Sequence, residues 1–180
     1  MVIFDQSRYR KSYKPKPVGD SQKVALRVIL EVKRIDRIEE LKSSYQIRLI
    51  MVIAWMDPRL RFVNLRDELT NNIVNDETAS AMWIPPLLIP EALTDYSLEY
   101  EKKSYLVVHK EQKNGQNTGY ENVHEGILFD GSKNKLALVK QLQLKHSCTF
   151  ELMHYPFDTQ LCKFKVTPFI TIHIRFDWTI

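Results

Sequence analysis

Residues 148–162 read CTFELMHYPFDTQLC and contain both cysteines of the 180-residue chain. Thirteen residues separate Cys148 from Cys162, and the run Tyr155-Pro156-Phe157-Asp158 lies between them. One pair of cysteines in a β-rich chain indicates a structural disulfide, which would stabilise the fold by about 3 kcal/mol through loop closure. Two free buried thiols, or half of a metal site, are the alternatives that the spacing leaves open.

Strands with a two-residue alternation of apolar side chains precede this loop and follow it. The alternation predicts strands at 24–33, at 45–55, at 105–109 and from Leu136 into Cys148, and it resumes after the loop at Phe164 and Val166. Asn114-Gly115 and Asp130-Gly131 are hairpin-type turn signals. Short strands without a long helical period predict an all-β fold, an antiparallel immunoglobulin-like β-sandwich.

Three segments between the strands have their own patterns. The run Trp55-Met56-Asp57-Pro58-Arg59-Leu60 predicts a turn, in which Asp57 and Arg59 form a surface pair worth under about 1 kcal/mol. Residues 64–81 have no period and predict a loop with short irregular elements. Residues 82–90 begin at Met82-Trp83 and contain three prolines, which predicts an edge strand or extended loop.

Composition describes one globular domain and excludes several functions. The chain is 44% hydrophobic and 27% charged, with a net charge of +4. Basic residues cluster near the start, so residues 1–20 are predicted to be a loosely ordered lead-in before a domain at 21–180. No aromatic platform accompanies this positive charge, and we therefore expect no nucleic-acid partner.

Catalytic and metal-binding motifs are absent from the sequence. The five histidines lack the spacing of zinc ligands, the serines lack a nucleophile elbow, and five glycines form no phosphate-binding loop. We therefore expect no metal, no cofactor and no enzymatic activity. The sequence has no apolar run of 18 residues and no signal-peptide core at its start. A disulfide nevertheless indicates a compartment outside the reducing cytosol.

The ordered motifs resemble those of the Cys-loop, or pentameric ligand-gated, ion-channel family, in the extracellular ligand-binding domain of a subunit. The cysteine loop carries the resemblance. Trp55-x-Asp57-Pro58-Arg59-Leu60 is similar to the end of the family's second strand, and Trp83-x-Pro85 is similar to its binding loop A. Asn134-Lys135-Leu136 stands before the first cysteine, as in invertebrate members.

The resemblance implies a subunit of a homo- or hetero-pentamer that binds a small neurotransmitter-like ligand between neighbouring subunits. It implies that Tyr155, Pro156, Phe157 and Asp158 touch a membrane pore domain and couple binding to gating. That pore domain is missing from the chain, and the implied location is the extracellular side of the plasma membrane. The ligand-contacting positions implied are Phe169, Ile50, Val52, Ile89 and Pro90.

The chain also departs from the family pattern. Ile50 and Pro90 stand where aromatic residues are common, and Val52 stands where several anion-selective members have Arg. Residues 170–180 fit poorly, and the sandwich is expected to be truncated before its last strands and incomplete at both ends. Three alternatives follow: a soluble secreted ligand-binding protein, a truncated non-functional or assembly-modulating fragment, and an unrelated adhesion or carbohydrate-binding sandwich.

Overall fold

A computed structural model describes residues 2–4, 8–16, 24–86, 104–113, 116–117, 126–151, 153, 159–166 and 170–177. Eleven strands and one short helix run through these residues in the order β1 (Val2–Ile3), β2 (Arg27–Glu39), β3 (Ser44–Trp55), β4 (Arg61–Val63), β5 (Ile73–Val74), α1 (Asp76–Ala81), β6 (Tyr105–His109), β7 (Gln116–Asn117), β8 (Ile127–Asp130), β9 (Lys135–Ser147), β10 (Thr159–Val166) and β11 (Ile170–Asp177). Short 3-10 turns lie at Glu40–Lys42 and Leu69–Asn72.

The strands form three sheets. Their strand orders are β1-β4-β8-β7, β2-β3-β9-β6-β5 and β10-β11. Every pairing with a described register is antiparallel, for example Val2 opposite Phe62 and Val107 opposite Ala137. The predicted all-β, antiparallel sandwich is therefore confirmed.

The chain divides into two compact units. Unit 1 comprises Met1–Ile29, Val52–Pro85 and Ser104–Lys140, and unit 2 comprises Leu30–Met51, Pro86–Lys103 and Gln141–Ile180. In unit 1, Phe62 of β4 and Val108 of β6 are buried and border the same small cavity, so the two sheets face each other across this core. In unit 2, the buried side chains of β3 and β9 include Leu49, Leu144 and His146.

Strand β3 confirms the strongest alternation in the sequence. Its odd-numbered side chains from Tyr45 to Trp55 are all buried, with 3% exposure or less. Between them, the side chains from Arg48 to Ala54 are partly exposed. Successive side chains of a strand point to opposite faces, so this period fixes which face of β3 forms the core.

Strand β2 differs from its prediction. It begins at Arg27 rather than at Val24, and none of its apolar side chains is fully buried, with Val32 48% exposed. The physical reason is its position, because β2 is the edge strand of its sheet. The regular alternation also breaks at Arg37, whose φ of 44° is left-handed.

Two further regions are the segment at 64–81 and the first residues of the chain. The irregular segment at 64–81 contains the 3-10 turn, β5 and α1, as predicted. Within the predicted lead-in at 1–20, Val2–Ile3 pairs with β4 and Tyr9 is buried. Backbone pairing and a buried aromatic ring therefore tie this segment to unit 1.

Candidate functional site

The cysteine loop of unit 2 is closed by a disulfide between Cys148 and Cys162. Their Cα atoms lie 5.4 Å apart, and both side chains are buried. Cys148 directly follows β9, whereas Cys162 lies within β10. The alternatives of free thiols or of half a metal site are therefore wrong.

Hydrogen bonds fix the base of this loop on the turn between β2 and β3. The Cys148 N–H donates to the Ser43 carbonyl oxygen at 2.8 Å. Three residues before Cys148, Lys145 Nζ donates to Glu39 Oε2 at 2.7 Å. The Glu39 carboxyl has a lowered pKa, chiefly because of this hydrogen bond from Lys145. The loop base and the β2–β3 turn are thus held together by a backbone bond and an ion pair.

A buried glutamine braces the loop from inside. Gln160 of β10 is 2% exposed, and its amide donates to the Glu151 carbonyl oxygen at 2.8 Å. The same amide accepts from the Glu151 N–H at 3.0 Å. These two bonds satisfy both backbone groups of Glu151 and join the two arms of the loop.

The implied ligand contacts are only partly described. Ile50 and Val52 are half-buried on the face of β3 opposite to its core face. Phe169, Ile89 and Pro90 lie outside the described residues, and so do the loop-tip residues Tyr155, Pro156, Phe157 and Asp158.

The Trp-Asp-Pro-Arg turn of unit 1 corrects the prediction of a weak surface pair. Asp57 is 1% exposed, and its carboxylate accepts from the Nε of Arg59 at 2.8 Å and from its terminal nitrogen at 2.7 Å. It also accepts from the Arg59 backbone N–H at 3.1 Å. Removing one partner of such a buried, hydrogen-bonded pair costs far more than it does for a solvated pair, because the other charge is left buried.

Tyr9 connects this turn to the segment that carries Trp83. Its hydroxyl donates to Asp57 Oδ2 at 3.1 Å and accepts from the Trp83 N–H at 2.9 Å. The Arg59 guanidinium lies 4.4 Å from the centre of the Tyr9 ring. Burial, the largest cause, raises the pKa of Tyr9 to about 12, so this hydroxyl stays protonated at neutral pH. Sequence reasoning missed Tyr9 because its partners are 48 and 74 residues away.

The two motif tryptophans pack against each other. Trp55 is 1% exposed, and its ring meets that of Trp83 edge-on with centroids 6.0 Å apart. Pro85 is buried and Pro58 is half-buried. Trp55 and Pro85 therefore contribute to the core of unit 1.

Gly131 and Asn134 stabilise the turn after β8, where the sequence predicted only a hairpin-type turn at Asp130-Gly131. A Cβ at Gly131 would lie 2.2 Å from the Asp57 carbonyl oxygen, so no side chain fits at this position. Asn134 is fully buried, accepts from the N–H groups of Glu111 and Gln112, and donates to the Asp130 carbonyl oxygen at 2.8 Å. Asn134, which directly precedes β9, therefore hydrogen-bonds to two neighbouring segments of the backbone.

His146 is the buried titratable group of unit 2. It is fully buried, and its ring stacks on that of Tyr45 with centroids 5.9 Å apart. Burial lowers its pKa to about 4, so the imidazole is neutral at pH 7. Within the described part of the chain, no group of three or more His, Cys, Asp or Glu residues has the placement of a metal site.

Comparison with known proteins identifies the family. A search of curated proteins returns no match to this chain. Among the described helices, none has the length and apolar character needed to cross a membrane. The family profile described as "Neurotransmitter-gated ion-channel ligand binding domain" matches residues 3–173, nearly the whole chain. The strands, the disulfide and this match agree, and the chain belongs to the neurotransmitter-gated ion-channel ligand-binding domain family.

Proposed function

We propose that this chain is the extracellular ligand-binding domain of a pentameric channel subunit, at the outer side of the plasma membrane. It assembles with other subunits of its own or a related kind and binds a small neurotransmitter-like ligand between neighbours. The single observation that carries the proposal is the family match over residues 3–173. The disulfide that closes the cysteine loop supports it.

The coupling step of this proposal rests on the base of the cysteine loop. The Cys148 N–H bonds to Ser43, and the Lys145–Glu39 ion pair joins β9 to the end of β2. Because these contacts connect the loop to the β2–β3 turn, a shift of β3 or β9 is passed to both of them together. A ligand that binds one arrangement of these strands more tightly would then bias the loop and the pore domain that it meets.

The binding step uses the half-buried face of β3. Ile50 and Val52 present aliphatic groups there, where they would contact the apolar part of a ligand. They supply no cation–π attraction, which requires aromatic rings. The rings would come from Phe169 and from the neighbouring subunit, and Ile89 and Pro90 would add further apolar contacts.

A chimaeric channel tests the function directly. The chain is joined to the membrane pore domain of a pentameric ligand-gated channel, and currents are recorded while small amine and amino-acid transmitters are applied. We expect a saturable ligand-gated current and a fivefold assembly on native gels. Surface pentamers that respond to none of these ligands would refute ligand gating, and a monomer at the surface would refute assembly.

A pair of valine variants tests the binding face. Val52→Asp places a charge beside the ligand and should shift the half-maximal ligand concentration at least tenfold. Val32→Asp is the matched control, because Val32 is 48% exposed on edge strand β2. Equal shifts in both variants would show that the face around Val52 does not contact the ligand.

A further inference from the structure

A polar cavity of about 550 Å³ opens in unit 2, on neighbouring strands β2, β3 and β9. Ile50 and Val52 are not among its lining residues. The lining of the cavity therefore differs from the ligand-contacting positions of the proposed function. The polar residues that line it are Arg34, Asp36, Arg37, Gln46, Arg48 and Gln143.

Positive charge exceeds negative charge in this lining. Asp36 Oδ1 lies 2.5 Å from the Arg34 Nε, and Asp36 Oδ2 lies 2.9 Å from the Arg48 Nε. Arg37 makes no ion pair with any residue that the structure describes. One carboxylate therefore faces three guanidinium groups, which leaves two positive charges uncompensated within the lining.

The backbone of β2 concentrates these charges. Neighbouring residues of a regular strand point to opposite faces, yet Asp36 and Arg37 both line the cavity. The left-handed φ of 44° at Arg37 breaks the alternation at this point. Such a backbone is unusual for arginine, and non-glycine residues of this kind cluster at functional sites.

The ion pairs also order the arginines before any ligand arrives. The Asp36 side chain is 10% exposed, whereas those of Arg34 and Arg48 are 71% and 43% exposed. A largely shielded carboxylate thus anchors two guanidinium groups that remain accessible to solvent. The amide of Gln46, which is 5% exposed, adds a neutral hydrogen-bonding group to the cavity.

We propose that this cavity binds a small organic carboxylate. Guanidinium groups match the two oxygens of a carboxylate in a bidentate geometry, and an excess of positive charge in a concave site favours an anion. The volume lies within the range of about 300–1,000 Å³ that is typical of small-molecule sites, so it accepts more than an inorganic ion.

Calorimetric titration of the full chain with succinate at low ionic strength tests this site. We expect saturable binding. Arg37→Gln should weaken it at least tenfold, because it removes one of the three guanidinium groups of the lining. The substitution breaks no described ion pair, so the loss reports on the ligand. Arg27→Gln is the matched control, since Arg27 is exposed on the same strand but outside the lining. It removes the same charge and should change the affinity less than twofold.

A replacement variant, a second ligand and a variant outside the cavity complete the experiment. Arg34→Gln replaces Arg37→Gln if circular dichroism shows that the latter does not fold, and it should weaken succinate to a similar degree. Absence of saturable binding, equal weakening by Arg27→Gln, or equally tight binding of inorganic phosphate would overturn the proposal. Val52→Asp should leave succinate binding unchanged, which separates this site from the proposed function. Loss of succinate binding in that variant, with Arg37→Gln unaffected, would also overturn it.

Discussion

Removing one hydroxyl group should test how the first residues of the chain are held. In Tyr9→Phe the ring remains, so its contact with the Arg59 guanidinium is kept. The three hydrogen bonds of the hydroxyl are lost: to Asp57, from the Trp83 N–H, and the longer one from Arg59 at 3.4 Å. The Trp83 N–H then loses its acceptor, and the Asp57 carboxylate loses one of its four donors.

The magnitude follows from the losses at Trp83 and Asp57, because the Arg59 guanidinium keeps its bonds to Asp57 and to the Tyr13 carbonyl oxygen. Leaving the Trp83 N–H without its acceptor costs about 1–3 kcal/mol. The lost bond to Asp57 adds about 1 kcal/mol. This is a low value for a hydrogen bond to a charged group, because Arg59 still neutralises the carboxylate. A total of about 3 kcal/mol lowers the melting temperature of a chain of this size by about 6–12 °C.

Chemical and thermal unfolding, followed by tryptophan fluorescence, measure this difference. Tyr13→Phe is the matched control, since Tyr13 lies in the same segment with 62% exposure. Tyr13 accepts a hydrogen bond from Arg59 through its backbone carbonyl oxygen and not through its hydroxyl, so the substitution keeps that bond. If Tyr9→Phe were as stable as Tyr13→Phe to within about 0.5 kcal/mol, the hydroxyl would not hold the segment, and the reasoning would be refuted.

Three further predictions concern the cysteine loop, the buried histidine and the close turn. Replacing Cys148 and Cys162 together by serine should lower the free energy of unfolding by about 3 kcal/mol, whereas reductant should have no further effect on that variant; an unchanged denaturation midpoint would contradict this. Because burial lowers the pKa of His146 to about 4, the unfolded chain binds the proton first, and stability present above pH 6.5 is lost as the pH falls towards 4. At pH 4.5 the loss should be about 2 kcal/mol, and His146→Gln should remove it; an identical pH profile in that variant would exclude His146 as the cause. Gly131→Ala should destabilise the fold by about 1–3 kcal/mol or more, because its Cβ meets the Asp57 carbonyl oxygen, and a wild-type melting curve would show that this turn relaxes freely.

The strand pattern and the cysteine loop could be predicted from the sequence because each depends on residues that lie close together in the chain. The side chains of β3 alternate over its whole length, so burying one face fixes both its secondary structure and its orientation. The single cysteine pair at 148 and 162 allows only one intramolecular disulfide. The family motifs likewise lie within short runs of the chain.

The sequence by itself therefore predicted the long strands such as β3 and β9, the cysteine pair and the family. Tertiary structure decided which apolar faces were deep in the core, since β2 has the right alternation but lies at a sheet edge. It alone placed Tyr9 on Asp57 and Gly131 against the same turn. Residue patterns encode the period of a single strand, whereas these contacts join residues far apart in the chain and depend on how the strands pair and pack.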